Sequence, residues 1–105
     1  MGNNIALSAQ EFIEKNNLPK PQYASGDWKY SLYLPAFMSN HPKFIRDWQN
    51  TKPKGTMLLV FRECKHYNQS DLNGYSIISQ GCQNVKLLDK YPPQSKPFTY
   101  IMVDS

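Results

Sequence analysis

The apolar positions of the chain fall into stretches with different periods. Thr56–Cys64, "TMLLVFREC", is apolar on both alternating faces, with Met57, Leu59 and Phe61 on one side and Leu58 and Val60 on the other. That pattern predicts a central strand covered on both faces. Phe98–Asp104, "FTYIMVD", is β-branched and aromatic and reads as a second interior strand. In "WKYSLYL", Trp28, Tyr30, Leu32 and Leu34 alternate with Lys29, Ser31 and Tyr33, which predicts a half-buried strand closed by Pro35.

Helical spacing is found in two places. Ser8 followed by Glu11 forms a capping box, and Leu7 and Phe12 are placed to staple it, so a short helix is expected from Ala9 to Asn16. Leu18-Pro19-Lys20-Pro21 ends it, which leaves 17–26 as a loop. Asn40 offers a cap for a second helix from His41 to Asn50, with Pro42 in its first turn. A helical wheel puts Phe44, Ile45 and Trp48 on one arc, facing the sheet, and Lys43, Arg46 and Asn50 on the other.

The remaining chain carries turn chemistry. "NQSDLNG", residues 68–74, ends in Asn-Gly and returns the chain as a third strand, Tyr75–Ser79, antiparallel to the one before it. "QNVKLLDKY" fits a short helix or a strand, and "YPPQSKP" fits an extended proline loop. The expected fold is α+β: a single small domain, residues 1–105, with a mostly antiparallel sheet of about four strands and two short helices.

Charge then narrows the functional classes. Residues 1–42 carry Lys15, Lys20 and Lys29 against Glu11, Glu14 and Asp27; residues 66–105 carry Lys86, Lys90 and Lys96 against Asp71, Asp89 and Asp104. Both segments are neutral. The net charge of +4 therefore lies in residues 43–65, where Lys43, Arg46, Lys52, Lys54, Arg62 and Lys65 face Asp47 and Glu63. Such clustering is the footprint of a site for nucleic acid or another polyanion, such as an acidic protein surface. Lys43 and Asp47, four apart, pair on the expected helix and weaken its field, so the "TKPKG" loop carries most of the expected site.

Other chemistry is weaker. Tyr30, Tyr33 and Tyr67 lie near lysines in sequence and are candidates for base stacking, but aromatic residues in strands are generally core. Cys64, His66, Cys82 and His41 are metal-ligand types at spacings that match no common zinc pattern, so no metal or other cofactor is expected. "SQGCQN", residues 79–84, sets a cysteine in a turn-like context without a spaced His partner, and Glu11 is explained as the capping-box acid. With no converging constellation, the expectation is a non-enzymatic binding protein. The alternative is a protein-interaction or inhibitor module of phage or mobile-element type, docking on a protein target through Tyr67, Tyr91 and the proline loops. The two cysteines are expected to be reduced and buried; no apolar run approaches the length of a membrane span, and the N-terminus lacks a signal pattern, so the expected location is cytoplasmic.

Overall fold

The computed structural model describes residues 2–32, 34–87 and 91–105. In order, the elements are α1 (Gly2–Lys15), β1 (Tyr23–Gly26), α2 (Trp28–Ser31), α3 (Leu34–Phe37), β2 (Lys43–Phe44), α4 (Trp48–Thr51), β3 (Thr56–Phe61), β4 (Ser76–Leu87) and β5 (Gln94–Asp104), with a 3-10 turn at Gln69–Leu72 before β4. The fold is α+β around one mixed five-stranded sheet of order β2-β1-β3-β5-β4. β1 is parallel to β2 and β3, whereas β5 is antiparallel to both β3 and β4. The longer ladders are the antiparallel ones.

β3 behaves as its pattern requires. Leu58 and Val60 enter a core with Ile5, Ala9, Phe12, Leu34, Tyr100 and Met102, while Met57 and Leu59 enter a second one with Trp48, Leu72, Tyr75, Ile101 and Val103. Helices α1 and α3 cover the first face; α4 and the turn leading to Tyr75 cover the second. β5 lies between β3 and β4, as its apolar run demands.

Several local expectations are overturned. The first helix starts at Gly2, seven residues before the capping box would allow, because Ile5, Ala6, Ala9 and Phe12 form a continuous buried stripe at helical spacing. Ser8 is thus inside the helix and donates from Oγ to Gln83 Oε1 at 2.5 Å, and Leu7 is 57% exposed rather than stapled. The segment expected as a strand from Trp28 is two helical turns instead. Ser31, Leu34 and Met38 are buried at intervals of three and four, and Ser31 donates from both N and Oγ to Asp27 O. The strand lies just upstream, in the stretch expected as loop.

The helix expected at His41–Asn50 is also absent in that form. Lys43 N donates to Gln22 O and Ile45 N to Ala24 O, so the free edge of β1 captures this segment as a short parallel strand, and only Trp48–Thr51 is helical. Asn40 caps nothing there; its Nδ2 donates to Pro21 O at 2.6 Å. The strand after the Asn-Gly turn runs to Leu87 and pairs with β5, not with β3. The described part of the ambiguous "QNVKLLDKY" segment is therefore strand, and residues 88–90 lie outside the described residues. The proline stretch enters β5 as well, with Pro97 opposite Asn84.

The cysteine expectation fails too: Cys64 and Cys82 form a disulfide, and both residues are exposed. The reason lies in the sheet order. After β3 the chain must cross β5 to reach β4. Thr99 Oγ1 accepts from Lys65 N at 3.1 Å and donates to Glu63 O, while the Gln80 side chain bonds both Tyr67 N and Tyr67 O at 2.8 Å. That crossing brings Cys64 beside Cys82, across a separation of 18 residues.

Tyr100 links α1 to the sheet, donating from its hydroxyl to Ile5 O at 3.2 Å. Burial, with a smaller contribution from Glu11 and against a hydrogen bond with Ser8, pushes its pKa up to about 12. The unfolded chain ionises this phenol near its ordinary value of 10, so the folded state binds the proton more tightly between those limits. The stabilisation is complete below pH 10 and is lost as pH rises to about 12, a loss of about 2 to 3 kcal/mol from this group. Denaturant midpoints measured across this range should fall with pH, and the Tyr100→Phe protein should lose that part of the fall.

Candidate functional site

The six cations of the charged segment, Lys43, Arg46, Lys52, Lys54, Arg62 and Lys65, are all exposed, but the fold does not bring them to one place. Lys52 and Lys54 precede β3, and Arg62 and Lys65 follow it. A six-residue strand, on the order of 20 Å, separates the two groups. Lys43 and Arg46 do not share a helix face, because Lys43 lies in β2 and Arg46 follows it.

At the end of the sheet where β3 begins, three features converge. Lys43 pairs in register with Tyr23, which pairs with Met57, so β2, β1 and β3 start side by side. Lys52, in left-handed conformation, caps α4, and its Nζ lies 5.9 Å from the Tyr75 ring centroid, just before β4 starts. Thr56 Oγ1 donates to Lys20 O at 3.2 Å, which pins exposed Lys20 to the same edge. Lys20, Lys43, Lys52 and Lys54 thus gather at the amino ends of the parallel strands. The register adds one acid here, Asp104, opposite Thr56. Lys20 escaped sequence reasoning because it belongs to a segment of zero net charge; the proline-bounded "LPKPQ" leading into the strand was its only signal.

The other end is different. β1 connects one way, to β2, and β3 connects the other way, past β5 to β4, so the carboxyl ends of β1 and β3 border a groove of the kind that forms where connections diverge. It is lined by Asp27, Phe61, Arg62, Glu63 and Tyr67. Asp27 Oδ2 accepts from Arg62 N at 2.8 Å. Tyr67 stacks on Phe61 at 4.6 Å, and Lys65 Nζ lies 4.9 Å from the Tyr67 centroid. Burial pushes the Tyr67 phenol up, and Asp27, Glu63 and Asp71 push it the same way. Those three carboxylates partly offset Arg62 and Lys65. Tyr67 is half-buried here, whereas Tyr91 is fully exposed.

The disulfide removes Cys64 and Cys82 as thiolate ligands or nucleophiles. Among the described residues, no helix is long and apolar enough to cross a membrane. No family model, curated protein or solved structure matches the chain.

Proposed function

We propose that the protein is a non-enzymatic binding protein that holds nucleic acid or another polyanion at the amino edge of β1, β2 and β3. Lys20, Lys43, Lys52 and Lys54 are the contacting residues. The observation that supports this reading is their convergence from segments far apart in sequence, with Asp104 opposite Thr56 and Asp47 one helical turn before Lys52 as neighbouring acids. Clustered lysines act on phosphates as point charges and release counterions on binding, which makes affinity dependent on salt and only weakly on sequence. Arg62 and Lys65, included from the sequence alone, are assigned a minor part, since β3 carries them to the opposite end of the sheet, beside the carboxylates around Tyr67. Arg46, also included from the sequence alone, follows β2 and so lies toward the carboxyl ends of the parallel strands, outside the amino-edge site.

Two double variants test the assignment. Lys52→Gln with Lys54→Gln should weaken binding without unfolding, and the salt slope of log affinity should fall by about 0.7 to 0.9 for each phosphate that is no longer neutralised. Arg62→Gln with Lys65→Gln should leave affinity and slope near those of the parent protein. The reverse result would move the site to the groove at the carboxyl ends.

One observation favours the rival reading, docking on a protein: Tyr91, beside Pro92 and Pro93, is fully exposed. If polyanion binding is absent, this aromatic corner becomes the surface to follow. The exposed disulfide also weighs toward an oxidising compartment over the cytoplasm.

A further inference from the structure

Cys64 follows the carboxyl end of β3 and Cys82 lies in β4 opposite Thr99, so their disulfide stands at the far end of the sheet from the lysine edge. Both residues are exposed. A shallow cleft of about 280 Å³ opens on the bridge and is lined also by Lys65, His66, Gln80 and Thr99. Exposed disulfides are the labile ones, because an attacking thiolate must reach sulfur.

The bond is not what holds its two ends together. Glu63 O and Lys65 N, on either side of Cys64, both bond Thr99 Oγ1, and Thr99 pairs in register with Cys82. Gln80, two residues before Cys82, bonds Tyr67 N and Tyr67 O at 2.8 Å. With the ladders of β5 to β3 and β4, these contacts hold the two Cα atoms at their separation of 5.5 Å independently of the sulfurs. Opening the bond leaves a paired dithiol on a folded sheet.

We infer that the Cys64–Cys82 bridge is a thiol–disulfide exchange site for small anionic thiols. A thiolate entering the cleft bonds to Cys64 Sγ as the Sγ–Sγ bond breaks, and the electron pair leaves on Cys82 as a thiolate. A second thiolate then attacks the outer sulfur of the mixed disulfide and releases Cys64. The protein thus gains two electrons and two protons, while two thiols become one disulfide. In the reverse direction Cys82 stands beside Cys64 at high effective concentration, so the dithiol is a reductant toward small disulfides. Lys65 supplies the selectivity for charge. It follows Cys64, lines the cleft and is exposed, with Nζ 4.9 Å from the Tyr67 centroid, so its charge draws an anionic thiol towards that sulfur and favours the thiolate released there.

Two thiols of opposite charge give the test: mercaptoethanesulfonate, which is anionic, and cysteamine, which is cationic. Each is added in excess to the full chain without denaturant, at matched low ionic strength, and acid quenching with mass spectrometry reads the conversion to the dithiol. The unmodified protein should be reduced by both thiols, and its far-UV circular dichroism should not change on reduction. In Lys65→Gln the ratio of the anionic to the cationic rate constant should fall about threefold, the effect of one charge at the rim of an exposed cleft. The acidity of each thiol cancels in that comparison, and a general loss of stability would move both rates alike. A bridge that opens only in denaturant would overturn the inference, as would a reduced protein that unfolds or a ratio that Lys65→Gln leaves unchanged.

Discussion

Replacing Trp48 with alanine is expected to destabilise the fold by about 3 to 5 kcal/mol, the range for removing a large buried aromatic side chain. Its indole is 6% exposed and stands between Phe61, with centroids 6.0 Å apart, and Tyr75, at 5.9 Å. Phe61 in turn stacks on Tyr67, so one ring organises a row that spans the second face of the sheet. α4 is a single turn and holds little stability of its own; the indole is what fixes it, and with it Lys52, against the sheet. A thermal melt should show the midpoint lowered by more than about 12 °C for a domain of this size. A midpoint within about 3 °C of the parent would mean that the second face does not depend on Trp48.

Gly26→Ala is expected to cost at least about 3 kcal/mol, enough to leave much of the protein unfolded at moderate temperature. Gly26 pairs with Val60 at the end of β1, with φ at +117°, a conformation that side chains rarely adopt. An added Cβ would stand 2.1 Å from Val60 O and 2.6 Å from Val60 N, and both are backbone atoms that cannot swing aside. Relief would require β1 to part from β3, which breaks the parallel pairing. Gly74→Ala supplies the contrast. Its φ is +82°, but the nearest atom to an added Cβ is the mobile Lys52 Nζ at 3.9 Å, so only local backbone strain of about 1 to 2 kcal/mol is expected. Urea titrations of both variants should separate them clearly; equal midpoints would show that the approach to Val60 is not what requires glycine.

The parts of this fold that could be read from sequence are those where burial dictates residue type on both sides of the chain. β3 and β5 are of that kind, because a strand covered on both faces must be apolar at every step, and "MLLVF" and "YIMV" leave little else to assign. β1 was hidden because Tyr23–Gly26 is "YASG", in which three small residues of low strand propensity follow the tyrosine and Gly26 approaches β3 closely. β4 was only half visible, since Cys82, Asn84 and Lys86 face solvent and leave too weak an alternation to set it apart from a helix or loop. Ser8 and Glu11 match a capping box at the right spacing, yet the buried stripe that begins at Ile5 outweighs any cap.

The candidate site was legible in its ingredients but not in its grouping. Lys43, Lys52 and Lys54 stand out in a charge count along the chain, and each is exposed in the fold. Linear proximity also gathered in Arg62 and Lys65, which the length of β3 carries to the opposite end. Lys20 was missed for the converse reason, since the pairing that brings it beside Thr56 spans 36 residues. Neither can be seen without the register of β1 on β3. The disulfide belongs with them: the meeting of Cys64 and Cys82 depends on β5 standing between β3 and β4, a sheet order that the hairpin suggested by Asn73-Gly74 concealed.

The central claim, a polyanion site built from lysines at one edge of the sheet, is tested most directly by fluorescence anisotropy of labelled single-stranded and duplex nucleic acid titrated with the unmodified protein at several salt concentrations. With Lys20, Lys43, Lys52 and Lys54 each meeting a phosphate, log affinity should fall linearly with log salt at a slope of about −3. No detectable binding at low salt, or an affinity indifferent to salt, would contradict the claim.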